Sequence, residues 1–245
     1  MATRLLTLLP VAGVVAWSGN ASLMRARHQS HGERNFQFIT GTMNDIIMET
    51  LETGDLVFFQ RKLTALQPLA ALHTWIMRKH LRSRFDHCGW IYVDRLGRKY
   101  IVEETLNKVQ CRPYSARILT SQATEISVLT LNVERSKKMQ EAAKAFVVEN
   151  VGRKSRTSLR QTMSAMLGSK YIMNPCFGVT PFFPCAALVA EAYDAMDLAN
   201  KYDFTNTQPP LSADTVTPRE LAENKIKLHE TRHAAFDRLL PIKLE

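Results

Sequence analysis

Three side chains in this sequence could together form a thiol-based catalytic site: Cys185, His87 and Glu103. Cys185 follows Pro184 and opens the segment CAALVAEAYDAMDLA (185–199), whose pattern predicts a strong helix. A thiol at a helix N-terminus lies near the positive end of the dipole and near free N–H groups, which favour the reactive thiolate. The same N–H groups can stabilise an oxyanion. The chemistry indicated is attack on an amide or ester carbonyl.

His87 and Glu103 lie on two segments that predict neighbouring strands. HCGWIYV (87–93) and KYIVEET (99–105) flank DRLG, whose glycine suits a hairpin turn. A base on a strand end has a fixed position, and Glu103 could hold the imidazole in one tautomer. Taken singly, each residue is more typical of a structural role, because a helical cysteine is usually a small core residue.

The remaining patterns predict helices before and after a group of antiparallel strands, which indicates the α+β class. A turn at Thr53-Gly54-Asp55 precedes the buried strand LVFF, and Pro68 disturbs or begins an amphipathic helix within 62–81. Thr217-Pro218-Arg219-Glu220 predicts a capped helix start. The other predicted elements are helices over 41–51, 134–150 and 157–167, strands over 109–114 and 125–133, and a loop over 203–216.

The order of these motifs resembles the circularly permuted papain-like hydrolases of the NlpC superfamily. YiiX-like amidases are similar in pattern, and lecithin-retinol acyltransferases are more distant relatives. In that group the strands bearing the histidine precede the helix bearing the cysteine, as they do here. The resemblance implies a permuted papain-like (NlpC-type) α+β fold, with an antiparallel sheet packed against the nucleophile helix and an N-terminal extension. The matching segments are TGDLVFF, FDHCGWIYV, YIVEE, PCAALVAEAY and TPREL, within roughly residues 50–225.

The resemblance also implies a role for each matched residue. Cys185 is the nucleophile, His87 is the general base and Glu103 orients the base, with Glu104 as the alternative if the strand register differs. Tyr193 matches a tyrosine that the family keeps on the nucleophile helix near the active site, and eight residues of helix put it on nearly the same face as Cys185.

Asp55 matches the Gly-Asp that opens the first strand, with a structural role. Three features depart from the family pattern. Ala186 stands where relatives often have serine, and Cys88 stands where they usually have an aliphatic residue. A long helical insert also separates the first strand from His87, and it could form a lid, a lipid-facing helix or a docking surface.

The cysteines favour neither zinc nor a disulfide framework. None of the four forms a CxxC pair, and no histidine stands at zinc-finger spacing to them. We therefore expect no cofactor and no metal, and mainly free thiols. The four are Cys88, Cys111, Cys176 and Cys185.

The formal net charge of +9 and the acid-free N-terminus bear on partners and location. Glu33 is the first acidic residue, and the apolar run 5–17 is shorter than the about 20 residues that a membrane-spanning helix needs. Such a segment is typical of a mitochondrial address, in the matrix or at the inner membrane, and a secretory signal is the alternative. The basic insert 62–84 and the N-terminal segment suit anionic lipid, and no motif for specific nucleic-acid binding is present.

The predicted organisation is an N-terminal targeting or anchoring extension (1–40), a permuted papain-like hydrolase domain (41–230) and a C-terminal tail (231–245). The leading hypothesis is a thiol hydrolase or acyltransferase. The alternative is an accessory subunit of a large mitochondrial assembly, such as a respiratory complex or ribosome, built on a recruited hydrolase fold with little or no catalysis. A module that binds RNA or membranes through its basic patches is a third, weaker reading.

Overall fold

The computed structural model describes residues 12–24, 26–27, 37–105, 107–156 and 183–243. Helices cover both faces of an antiparallel sheet, as expected for the α+β class. The predicted helix 157–167 lies outside the described residues. The described helices are α1 (12–24), α2 (Met43–Thr50), α3 (Pro68–Leu81), α4 (Tyr114–Leu119), α5 (Lys137–Asn150), α6 (Pro184–Ala195) and α7 (Pro218–Ala222).

The central sheet has six strands in the order β4-β3-β2-β1-β5-β8, and every neighbouring pair is antiparallel. A separate two-stranded ribbon joins β6 and β7. The strands are β1 (Leu56–Arg61), β2 (His87–Val93), β3 (Lys99–Glu104), β4 (Val109–Pro113), β5 (Ala123–Leu129), β6 (Leu131–Asn132), β7 (Ala235–Phe236) and β8 (Leu240–Ile242).

Alternation along the strands divides the core into two layers. Trp90 belongs to a cluster that includes Phe146 of α5 and Leu188 of α6. Ile91, the next residue on β2, belongs to the opposite cluster, with Ile47 of α2 and Ile118 of α4. Successive strand side chains point to opposite faces, so one strand supplies both layers.

Several local predictions are confirmed. The strands at 87–93 and 99–104 form a hairpin, and Gly97 has the positive φ of +75° that its turn requires. Thr217 caps α7 in a capping box with Glu220. Pro68 marks the start of α3 and not a disturbance within it.

Two predicted boundaries differ from the structure. The single strand predicted over 125–133 is divided between β5 and β6, which pair with different partners. Part of the predicted C-terminal tail also lies within the sheet, because β8 pairs with β5 from Ile126↔Ile242 to Val128↔Leu240. Three residues that include Pro241 carry too weak a pattern to predict a strand.

Candidate active site

The imidazole of His87 lies at the beginning of β2, where the strand pairs with the end of β1 at Phe59. The side chain is only 6% exposed, and its ring centroid lies 5.8 Å from that of Phe59. The Nε2 atom lies 2.7 Å from Oε2 of Glu103 on the neighbouring strand β3. The hairpin therefore brings together the predicted base and its predicted orienting carboxylate.

Glu103 is held as a buried carboxylate by an arginine that the sequence did not reveal. Arg117 of α4 donates from Nε to Oε1 at 2.6 Å and from Nη2 to Oε2 at 3.0 Å. Burial alone would raise the pKa of Glu103, but Arg117 and His87 hold that pKa well below its usual range. Glu103 therefore presents a negative charge to the imidazole ring.

Cys185 occupies the first turn of α6, directly after Pro184 at the helix start. Its side chain is buried, with 4% exposure, and α6 packs against β2 and β3. The first intrahelical bond is donated by Ala187 to the Phe183 carbonyl, so the N–H groups of Cys185 and Ala186 precede the helix ladder. Those two N–H groups are the candidates for binding an oxyanion.

The thiol of Cys185 has the electrostatic properties of a nucleophile. Hydrogen bonds from Cys88 and the charge and hydrogen bond of His87 lower the pKa of Cys185 well below that of an ordinary thiol, against the effect of burial. Burial by itself would lower the pKa of His87, but its contacts with Cys185 and Glu103 raise it. Opposite shifts in two contacting groups favour a thiolate–imidazolium pair.

The two ring nitrogens of His87 have different partners. Because Nε2 is bonded to Glu103, Nδ1 is the nitrogen left to exchange a proton with Cys185. A thiol-activating base requires this division of roles, in which a carboxylate orients one nitrogen and the other is available to the thiol.

The structure indicates a role for Cys88 that the sequence does not reveal. The sequence indicates only that cysteine replaces the usual aliphatic residue after the base. In the structure Cys88 is fully buried, and hydrogen bonding from its side chain and backbone lowers the pKa of Cys185. Burial and the neighbouring Cys185 raise the pKa of Cys88 well above normal, so it stays a protonated donor. Residue order alone could not show this contact across 97 positions.

Glu104 does not share the environment of Glu103. It accepts hydrogen bonds from Ser155 Oγ at 3.0 Å and from the Arg156 backbone N–H at 2.9 Å. It is also paired with Arg156, which contacts Glu191 on α6 as well. Of the two adjacent glutamates, Glu103 reaches His87, whereas Glu104 anchors the 150s segment to the sheet.

Asp86, directly before the base, connects this site to the helical insert. Its carboxylate accepts from Arg61 Nε at 2.5 Å and from Arg78 Nη2 of α3 at 2.6 Å. Burial would raise the pKa of Asp86, but the two guanidinium groups lower it overall. The position of α3 is therefore fixed by a charge adjacent to His87.

Tyr193 lies apart from the other predicted site residues. Its hydroxyl donates to the Gly54 carbonyl, and its ring stacks 6.3 Å from that of Phe236. Gly54 precedes β1, five residues before the Phe59 that pairs with His87, which is about 16 Å along a strand. The structure does not bring Tyr193 to the Cys185–His87 pair, and its visible contacts fasten α6 to the opposite end of β1.

Asp55 lies at that opposite end and makes the contacts of a structural residue. It accepts from the Glu52 backbone N–H at 2.7 Å and from the Leu131 backbone N–H at 2.8 Å, and it pairs with Arg135 at 3.1 Å. Burial is the largest influence and raises the pKa of Asp55 to about 6, although these donors act against it.

Gly89 sets the spacing between the strands that carry His87 and Glu103. A Cβ at this position would lie 2.8 Å from the Val102 carbonyl oxygen, 2.9 Å from Ile101 Cγ2 and 3.2 Å from Glu103 Cβ. Any side chain would therefore force β3 away from β2 beside the site.

The described residues contain no group of three His, Cys, Asp or Glu side chains arranged to hold a metal ion. Cys111 lies half-buried on β4, and burial raises its pKa to about 11. Cys176 lies outside the described residues. Across the described part of the chain, no helix combines the length and apolar character needed to cross a bilayer.

No protein-family model matches this chain, and no curated protein matches its sequence. Among solved structures, the fold is similar to the crystal structure of the metalloprotein YiiX from Escherichia coli O157:H7, with a TM-score of 0.36 and 15% sequence identity. The alignment covers 79% of this chain and 97% of that chain. At this level of likeness, only the side-chain arrangement described above bears on function.

Proposed function

We propose that this protein is a cysteine-dependent acyl hydrolase or acyltransferase, with Cys185 as nucleophile, His87 as general base and acid, and Glu103 as the orienting residue. The observation that carries the proposal is the 2.7 Å contact of His87 Nε2 with Glu103, together with the influence of Cys185, which raises the pKa of His87. A buried thiolate–imidazolium pair is costly to maintain, and nucleophilic catalysis is the chemistry that uses it.

The geometry supports a two-step acyl transfer. The Cys185 thiolate attacks the carbonyl carbon of an amide or ester, and the N–H groups of Cys185 and Ala186 stabilise the oxyanion. The His87 imidazolium then gives its proton to the departing amine or alcohol, leaving a thioester on Cys185. Water or a second acceptor, deprotonated by His87, attacks the thioester, releases the acyl group and restores the thiolate.

The order of elements supports assignment of this chemistry to the circularly permuted papain-like type. The base strand and the carboxylate strand precede the nucleophile helix in the chain. The helix packs against both strands, on one face of an antiparallel sheet. We place the protein in mitochondria because the first 32 residues lack acidic side chains and include arginines. That location disfavours a peptidoglycan substrate.

The test is labelling by a thiol-directed activity probe at about pH 6, where an ordinary thiol is almost fully protonated. Wild type should be labelled at a single site, and Cys185→Ala should abolish the labelling. Cys111→Ala is the matched control, because its half-buried thiol has a raised pKa and should contribute nothing. Equal labelling of wild type and Cys185→Ala would sink the enzymatic proposal.

One observation favours the second candidate function, an accessory subunit of a large mitochondrial assembly. Cys185 and His87 are both buried, so the carbonyl group of a substrate reaches the sulfur only after the site opens. A surface depression lined by Tyr92, Lys137 and Gln140 lies at the other end of β2 from His87 and offers no entrance to it. An enzyme fold retained for packing would keep its site closed.

The two candidates predict different behaviour in a native extract. A subunit elutes with a megadalton complex on size-exclusion chromatography, whereas a free enzyme elutes near the 27.8 kDa of the chain. Combining the elution profile with the probe test separates an active subunit from an inactive one. Probe labelling of the megadalton fraction would show that both descriptions apply.

A further inference from the structure

The exposed face of α3 combines apolar and basic side chains in a single stripe. Leu72, Trp75 and Lys79 recur at the three- and four-residue spacing of one helix face, and all three are exposed, with Trp75 at 48%. The Lys79 Nζ atom lies 5.2 Å from the centre of the Trp75 ring. Ala71 and Thr74, on the adjoining face of the helix, are buried.

Helix α1 lies against the beginning of this insert and extends the apolar area. Trp17 Nε1 donates to the Thr64 carbonyl at 3.2 Å, and Gln67 Nε2 donates to Ser22 Oγ at 2.9 Å. We call the exposed apolar side chains of these two helices the α1–α3 surface. Its members are Val14, Val15, Trp17, Leu23, Met24, Leu72 and Trp75.

The charged side chains of the segments that carry the α1–α3 surface are all cationic. The sequence has no acidic residue from 1 to 32 or from 56 to 85. Arg78 and Arg84 are paired with Asp86 and Glu125, respectively, which lie outside the insert. Lys62, Lys79 and Arg82 remain as exposed cations at its edge.

We propose that the α1–α3 surface binds the interface of an anionic lipid bilayer. Exposed apolar side chains grouped on two neighbouring helices mark an interaction site, and the exposed cations Lys62, Lys79 and Arg82 favour a negatively charged partner. Indole rings and the apolar stems of lysine are suited to the boundary between acyl chains and headgroups. A binding helix with these properties lies in the plane of the membrane, so it needs no span of about 20 residues.

The α1–α3 surface is connected to the candidate active site through α3. Arg78 of α3 reaches Asp86, which is covalently adjacent to His87. Resting on the proposed function, this link makes an acyl lipid of the bound membrane the substrate class that we infer for the site. Binding itself depends only on the exposed side chains, and it can be measured without any assay of turnover.

The test uses the full chain with two kinds of vesicle, phosphatidylcholine alone and phosphatidylcholine with about one third phosphatidylglycerol. We expect sedimentation with the anionic vesicles and a shift of tryptophan emission to shorter wavelength. Trp17 and Trp75 are exposed and report binding, whereas Trp90 is fully buried and gives a constant background. Binding should weaken as ionic strength rises, because salt screens exposed charges.

The double variant Leu72→Ser/Trp75→Ser should bind anionic vesicles at least about ten-fold more weakly, since two apolar anchors are lost. The matched control is Leu96→Ser/Tyr202→Ser, which removes an exposed leucine and an exposed aromatic side chain elsewhere and should bind like wild type. The rate of Cys185 alkylation should be unchanged in both variants. That rate reports on the proposed function separately from vesicle binding.

Three outcomes would overturn the proposal. They are no sedimentation with anionic vesicles, equal binding to the two kinds of vesicle, and equal binding of wild type and the Leu72/Trp75 variant. Absence of vesicle binding, together with a native protein complex that this variant disrupts, would assign the α1–α3 surface to a protein partner instead.

Discussion

Glu103 on β3 and Asp55 directly before β1 are both buried carboxylates, and each contacts an arginine side chain. Their protonation differs. Arg117 and His87 keep the pKa of Glu103 well below its usual range, whereas burial raises the pKa of Asp55 to about 6 in spite of Arg135.

The surroundings of the two carboxylates explain this difference. The Glu103 carboxylate pairs with Arg117 and contacts the His87 imidazole, and Arg112 Nε lies 3.7 Å from its Oε1. Asp55 shares Arg135 with Glu52, whose carboxylate lies 2.6 Å from Nη1 and itself raises the Asp55 pKa. A buried acid stays ionised only where cations outweigh desolvation and other anions, and that balance is found at the end that also holds Cys185.

The largest expected effect comes from removing the Glu103 charge. Glu103→Gln keeps an oxygen that can accept from His87 but leaves Arg117 buried without its counter-charge, so unfolding free energy should fall by about 3–5 kcal/mol. Alkylation of Cys185 at about pH 6 should also slow, because the imidazolium loses its anionic neighbour. Urea unfolding and iodoacetamide kinetics measure the two effects.

The control for Glu103→Gln is the same change at Glu149, which is exposed on α5 and should be neutral. Because the pKa of Glu103 is lowered by folding, its stabilisation is present above the unfolded pKa and lost as pH falls through the folded pKa. Wild-type stability in a Glu103→Gln variant would show that the charge balance at this end has been misassigned.

The contribution of Asp55 to the free energy of unfolding should change with pH in the direction opposite to that of Glu103. Its pKa rises from 3.8 unfolded to about 6 folded, so folding favours the protonated acid. The stability it adds is present below the unfolded pKa and lost as pH rises through about 6, amounting to about 3 kcal/mol. Asp55→Asn should remove this window, and a series of unfolding free energies from about pH 4 to about pH 7 measures it. A wild-type–variant difference that stays constant across the series would contradict the assignment.

Substitution of Cys88 should have a smaller effect, confined to the end of the sheet that holds Cys185. Loss of a hydrogen bond to a charged group is worth about 1.5–3 kcal/mol, or about one to two pKa units. Cys88→Ala should therefore raise the pH midpoint of Cys185 alkylation by about one unit or more, because the thiolate loses a donor. Cys88→Ser keeps a donor and should stay near wild type, so equal midpoints in all three proteins would exclude the thiol contact.

Tyr193→Phe should have the smallest effect, and it is confined to the Asp55 end. The loss of one buried hydrogen bond to Gly54 should lower stability by about 1–2 kcal/mol without changing the pH profile of Cys185 alkylation. A shift of that profile would instead support the role near the active site that the family resemblance implies. Thermal unfolding and the alkylation profile together decide between the two roles.

The sequence allowed accurate prediction where local pattern determines structure. The β2–β3 hairpin, the helix start predicted at Cys185 and found one residue earlier, and the Thr217 cap depend on residues close in the chain. The spacing of His87 and Glu103 across one hairpin was sufficient to predict their contact.

Contacts between distant elements could not be predicted in the same way. Arg117 reaches Glu103 from a separate short helix, and Cys88 meets Cys185 only after α6 packs on the sheet. Nothing in an isolated arginine or cysteine indicates which side chain it will meet. Tyr193 illustrates the converse case. It lies on nearly the same helix face as Cys185, but it is two turns away and its hydroxyl donates to Gly54 instead.

The missing side chain at Gly89 has a consequence for natural variation in this protein. Gly89 takes no part in chemistry, yet even an added methyl group would collide with the neighbouring strand at 2.8 Å. A variant there would leave Cys185, His87 and Glu103 intact in sequence while separating the strands that hold the last two together. Surveys of sequence variants that score only reactive side chains would class such an allele as harmless, although it should disrupt the pairing of His87 with Glu103.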